Sequence, residues 1–134
     1  MKIKKMAALF ALGGGAYVAL EHLWRGRSHI SMFLAGGSAF LLLGKLRNWK
    51  RFLPQPLRSV TGAGMITAVE LAAGLLFNRR WQVWDYRGMP GNYLGQICPA
   101  FTALWIPLAA AGEALYHIAD RLLTPKACPE KPKG

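Results

Sequence analysis

Acidic side chains and cysteines are scarce in this sequence. Only 6 Asp plus Glu and 2 Cys stand among its 134 residues. Cys98 lies inside an apolar run and Cys128 in the tail, with a helix leading away from the first, so no disulfide between them is expected. Neither has the spacing of a metal site and no other group of His and Cys exists, so no metal is expected. The sequence also lacks a glycine-rich phosphate loop with Lys and Ser or Thr, a G-x-S-x-G elbow and an H-E-x-x-H zinc helix. The chain by itself therefore has no recognisable means of hydrolysing ATP, and it implies no cofactor.

Apolar surface is what the chain has in quantity. Hydrophobic residues make up 53% and charged residues 17%, which excludes a disordered protein. The apolar residues gather into four blocks at 6–23, 29–46, 60–77 and 93–118, more continuous hydrocarbon than a soluble fold can cover. A bilayer-spanning helix needs about 20 apolar residues, so the first three blocks suffice with their flanks and the fourth has length to spare. Pro99 and Pro107 should each bend that fourth helix, and Glu113, His117 and Asp120 mark its emergence. The predicted architecture is an all-α integral membrane protein, a compact bundle of four transmembrane helices (spans about 6–23, 29–46, 60–77 and 93–111) within one domain, 1–120. Residues 121–134, with Pro125, Pro129 and Pro132 among lysines, form a basic tail that should be disordered.

The formal charge of +11 would suggest nucleic acid in a soluble chain, but here the charges avoid the apolar runs, and no nucleic-acid partner is expected. Instead the charges set orientation, because Lys-rich and Arg-rich loops stay in the cytoplasm. Lys2, Lys4 and Lys5, the second loop (Lys45, Arg47, Lys50, Arg51, Arg58) and the tail outweigh Arg25, Arg27, Arg79, Arg80 and Arg87. Both termini are predicted cytoplasmic, with 24–28 and 78–92 as external loops. The basic side then meets anionic lipid, at about 1 kcal/mol per residue near the surface. The lysines before Met6 imitate a signal peptide, but residues 13–20 continue uncharged straight into the first loop, so a retained span is expected.

Helices in lipid associate where small residues let backbones approach. Ala11, Gly15 and Ala19 in the first span, Ala35, Gly36 and Ala39 in the second, and Gly64, Ala68 and Ala72 in the third offer such stripes. Trp24, Trp81, Trp84, Tyr86 and Tyr93 fall at the external interface, where aromatic belts form, and Trp84 and Tyr86 also flank Asp85.

A few polar residues need a further reason. Glu70 lies near the middle of the third span, where a charge costs about 2.5–3.5 kcal/mol. It aligns with Ile66, Gly74 and Asn78, which clears space beside it and places an amide about 12 Å outward. That pattern suits either a titrating or ligand-binding carboxylate in a pocket open to the outside, or a structural bond to a neighbouring helix. Tyr17, Glu21 and Arg25 form one stripe, and a short loop should hold His29 beside them. The segment 83–92, rich in Gly, Pro and Asn, reads as a structured turn in which Asp85 accepts from Arg25 or from backbone amides, and Gln96 carries an amide into the membrane. Glu21, Arg25, His29, Asn78, Asp85 and Gln96 should therefore converge externally, above Glu70.

The strings at 24–32 (W-R-G-R-S-H-I-S-M), Gly36-Gly37, Glu70, V-W-D-Y at 83–86 and G-Q-I-C at 95–98 are similar to a bacterial family of small membrane proteins labelled ABC transporter permease, type IV. The resemblance runs from about Tyr17 to Trp105 and departs at Arg87, where the family has a small residue. It implies a bacterial cytoplasmic membrane location and a transporter component whose ATPase would be a separate chain, docking on 47–59 or on the tail. Pro54 and Pro56 interrupt any amphipathic coupling helix there.

Three functions compete. The first is a transporter or transporter component, acting as a homodimer, with Glu70 titrating and Glu21, Arg25, His29 and Asp85 as an external gate. The second is a membrane enzyme acting on a lipid or lipid-linked substrate, with His29 and Glu21 or Asp85 as acid and base and Arg25 holding a phosphate. The third is a non-catalytic helper of a larger membrane complex. A cavity reaching Glu70 separates the first from the third.

Overall fold

The computed structural model describes residues 2–26, 29–49 and 52–124. The predicted tail beyond Thr124, Cys128 and the side chain of Arg25 lie outside the described residues. Four helices follow in order: α1 (Lys2–Arg25), α2 (Ile30–Arg47), α3 (Gln55–Phe77) and α4 (Pro99–Leu123). Among the described residues there is no strand, only an isolated bridge between Tyr93 and Ile97. The first three helices are long and apolar enough to cross a membrane.

Local chemistry explains the boundaries. Gly26 takes a left-handed φ of 73° after α1, and its amide reaches back to His22, a common glycine stop. His29 caps α2, its Nδ1 accepting from the Ser31 amide at 3.1 Å. Pro54 precedes α3 and Pro56 sits in its first turn, where a missing N–H costs nothing. Pro99 does the same for α4. The predicted bend at Pro99 is therefore a start: the helix begins there rather than at Tyr93, because a proline ring suits the first helical turn better than the interior. Only Pro107 lies inside a helix, and α4 continues past it to Leu123.

Consecutive helices run antiparallel. Gly36 faces Tyr17 and Gly37 faces Phe10 across α1 and α2, whereas Gly62 meets Ala109 across α3 and α4. The Thr102 hydroxyl donates to Thr67 at 3.1 Å, since Thr67 spends its own proton on the Ala63 carbonyl. Helix α2 touches all three others, α1 leans chiefly on α2 and α3 chiefly on α4. Helices α1 and α3 do not meet, and α1 only brushes α4. At the end of the bundle holding the start of α1 and the finish of α4, Lys5 pairs with Asp120 and donates to Thr124 at 2.7 Å.

Small residues do allow the close approach of α1 and α2, but not all the predicted ones. A Cβ on Gly13 would strike Phe40, and one on Gly36 would come within 2.5 Å of Tyr17. Gly36 and Ala39 are buried as expected, whereas Ala11, Gly15, Ala19, Gly64, Ala68 and Ala72 are exposed. Nothing lies within 4 Å of a Cβ built at Gly15 or Gly64. The α1 stripe faces away from the bundle because the Phe40 and Phe33 rings of α2 pack on the neighbouring Gly13 and Gly14, and the α3 stripe because Gly62 instead meets Ala109 of α4 and Leu43 of α2.

Candidate functional site

The site begins where α3 ends. Asn78, wholly buried, is the C-cap residue, and its amide reads the following segment at both ends. Nδ2 donates to the Trp84 carbonyl at 2.6 Å and to Gln96 Oε1 at 2.9 Å, while Oδ1 accepts from the amides of Val83 (2.7 Å) and Trp84 (3.2 Å). Gln96 completes the exchange by donating to the Asn78 carbonyl at 2.9 Å. Buried amides persist where their donors and acceptors are met, and this pair meets them with backbone as well as with each other. Gly74 makes room for it, since a Cβ there would strike Gln96 Oε1. The space predicted beside Glu70 on the α3 face is thus filled by the Gln96 side chain.

Residues 78–98 fold back over that end of the bundle as an ordered cap. The Tyr86 amide bonds to the Gly95 carbonyl at 2.9 Å, and Asn92 Oδ1 accepts from the Gly95 amide at 3.0 Å. Gly95 has a left-handed φ of 67°, and a side chain there would meet Trp81 and Arg87. The fold-back carries two aromatic rings inward. Trp84 is 3% exposed and donates from its indole to the Gln96 carbonyl at 2.9 Å. Tyr86 is buried, stacks on Phe101 of α4 at 4.8 Å, and donates its hydroxyl to Glu70 Oε2 at 3.2 Å. Neither ring belongs to an interfacial belt. Trp24 and Tyr93 are exposed, as belt residues would be.

Glu70 is 8% exposed and lies in the wall of a cavity of about 310 Å³. The other walls come from all four helices and the cap, among them Ala16 and Tyr17 of α1, Met32 of α2, Leu108 of α4 and Trp84. The lining is almost wholly apolar, and among the described lining residues Glu70 is the only carboxylate. A carboxylate in such surroundings attracts a proton, a cation or hydrogen-bond donors strongly, because little solvent competes.

The remaining predicted residues stand elsewhere. Asp85 does turn to a backbone amide, that of Arg87 at 2.9 Å, but the guanidinium it binds belongs to Arg87, at 2.8 and 2.9 Å. Arg87 also lies over the Trp81 ring, 4.2 Å from its centroid. The Arg87 side chain and amide hold the Asp85 carboxyl below the ordinary carboxylate range, and Asp85 in turn raises Arg87 above the usual guanidinium value. This pair is exposed, outside the cavity. His29 is exposed and engaged in capping, its Nδ1 also 2.8 Å from the Ser31 hydroxyl. Glu21 sits half-buried on α1. The structure thus unites Glu70, Asn78, Trp84, Tyr86 and Gln96, and sets Asp85 and His29 apart from them.

A second buried carboxylate was read in the sequence only as a sign of helix emergence. Glu113 of α4 is 3% exposed and accepts from Arg58 Nε of α3 at 2.8 Å, and Arg58 also donates to the Leu53 carbonyl at 3.2 Å. Its sequence signal was an acidic residue inside a long helix with an arginine at the start of the preceding one. Nothing local connected the two. Trp105, whose buried indole N–H meets no acceptor among the described residues, joins Tyr17 and Phe101 behind the cavity.

No curated protein and no solved structure matches this chain. One family profile does, over residues 25–125, which takes in α2, α3, the fold-back cap and α4. The chain belongs to the family described as putative ABC-transporter type IV.

Proposed function

We propose that this protein is a four-span component of a transporter in the bacterial cytoplasmic membrane, with Glu70 as its working carboxylate. The observation that carries the reading is a buried glutamate in the wall of an apolar cavity, steadied by the Tyr86 hydroxyl. A purely structural carboxylate would be sealed between helices, whereas one that exchanges a proton or holds a substrate needs such a space. Lys4, Lys5, Lys45, Arg47, Arg58 and Arg121 gather where α1 starts and α4 finishes, which supports a cytoplasmic location for that end and an external one for the cap. The connection from α2 to α3 would then face a separate ATPase, with Trp49 and Phe52 exposed upon it.

Reaction with dicyclohexylcarbodiimide in lipid nanodiscs tests the reading, because this apolar reagent adds to protonated carboxyl groups within membranes. Glu70 should be modified and Glu113 spared, with the label absent from Glu70→Gln. An unmodified Glu70 would return it to a structural role.

A second reading, a helper held in a larger complex or homodimer, draws support from the outward stripes of α1 and α3, where Gly15 and Gly64 leave room for another helix. Cross-linking from cysteines introduced at Ala11 and Ala68 would detect such a neighbour. The lipid-enzyme reading draws less support, since His29 Nδ1 accepts from the Ser31 amide in capping α2 and Asp85 is clasped by Arg87.

A further inference from the structure

The cavity has a side as well as an end. Ala16 and Leu20 of α1 face Leu108, Ala111 and Leu115 of α4 across it, and these two helices barely touch one another. They are tied by Lys5 to Asp120 and Thr124 at the far end of the seam and by the Tyr17 ring against Trp105 nearer the cap, with the cavity between. Ala111 is exposed while lining the cavity, which places it at the mouth. In a bundle set in a bilayer, a mouth between two helices opens onto hydrocarbon rather than water. A guest entering there is lipophilic.

Its size and charge are limited too. A volume of about 310 Å³ lies at the low end of the roughly 300–1,000 Å³ usual for small-molecule sites, too little for a lipid with two acyl chains. Glu70 is the only carboxylate among the described lining residues, and the rings of Tyr17, Phe40 and Trp84 line the same space. A carboxylate among aromatic rings favours a cation, through charge attraction in a poorly solvated space and through the ring faces. Apolar walls require the rest of the guest to be hydrocarbon.

We propose that the cavity binds a small hydrophobic monocation, an ammonium group on an apolar body, which enters from the bilayer between α1 and α4 and sets its charge against Glu70. This rests on the reading of Glu70 as a working carboxylate and names its ligand class.

The test uses the full chain in nanodiscs, with benzyltrimethylammonium as the probe and benzyl alcohol and benzenesulfonate as neutral and anionic counterparts. At fixed pH the cation should slow carbodiimide modification of Glu70 about tenfold or more, a difference of about 1.4 kcal/mol in occupancy, while the other two leave it unchanged. Calorimetry should show binding of the cation lost in Glu70→Gln. It should also be weakened in Ala111→Phe, which narrows the mouth without touching the carboxylate, and retained in Ala103→Phe on the outer face of α4. Modification of Glu70 that the cation does not slow removes this ligand class and leaves the carboxylate reading standing. Equal protection by benzyl alcohol, or undiminished cation binding to Glu70→Gln, also overturns the proposal, and no modification of Glu70 overturns both readings together.

Discussion

Two glutamates are buried in neighbouring helices of this bundle, and they are held in contrasting ways. Glu113 meets a guanidinium at 2.8 Å, itself anchored to a backbone carbonyl. Glu70 receives a phenol at 3.2 Å and borders open space. A buried ion pair fixes geometry, because removing either partner strands the other charge, and it leaves little freedom for chemistry. A carboxylate steadied by a neutral hydroxyl beside a cavity keeps the choice of taking up a proton or a ligand. The bundle thus holds the same side chain once in an ion pair and once at the wall of a cavity.

The contrast can be broken at its strongest point first. Glu113→Ala should lower stability in mild detergent by about 3 kcal/mol, because the half-buried Arg58 guanidinium loses its counter-charge and keeps only the Leu53 carbonyl. The double variant Arg58→Met, Glu113→Leu should recover most of that loss in the same thermal denaturation assay. Next comes the scaffold around Glu70: Asn78→Leu strands the Trp84 carbonyl and two backbone amides, and a loss of about 3 kcal/mol is expected by the same assay. Tyr86→Phe should cost only about 0.5–1.5 kcal/mol, since one neutral hydrogen bond disappears. Its larger consequence is on reactivity, and Glu70 should show an altered rate of carbodiimide modification that Glu113 does not share. Equal changes at both carboxylates would erase the distinction between them.

The smallest effect belongs to the exposed clasp of Asp85 with Arg87. Asp85 is held below its ordinary value of 3.8, so whatever the clasp contributes is present at neutral pH and fades only as pH falls through that lowered value. Trp81 fluorescence should stay constant from pH 8 down to about 5, where Asp85 remains ionised. Arg87→Ser should shift that emission by uncovering the ring, with no measurable change in melting temperature.

Periodicity made much of this legible. The four apolar blocks became four helices, and the stripe of Ile66, Glu70, Gly74 and Asn78 leads to the buried amide and carboxylate of the site. The Gly-rich, Pro-rich and Asn-rich segment is a structured turn. Other features depended on distances no local pattern encodes. Glycine occupies three consecutive positions at 13–15, so every face of α1 has a small residue nearby and spacing alone could not choose the one that meets α2. The fold-back at 93–98 needs left-handed backbone at Leu94 and Gly95, of which only the glycine signals itself in sequence. The Arg58–Glu113 pair joins residues 55 apart, brought level by the antiparallel register of α3 and α4. His29 looked like chemistry because its ring can titrate, yet its position just before a helix gave it a cap to make instead.

The contact of Lys5 with Asp120 also makes the bundle a closed circuit. Helix four returns to helix one, and the described path closes on itself there, with the link supplied by a noncovalent clasp rather than a peptide bond. Reporters placed at Lys5 and Thr124 would therefore sit within reach of each other at one end of the bundle, and a covalent linker between those two positions could replace the clasp.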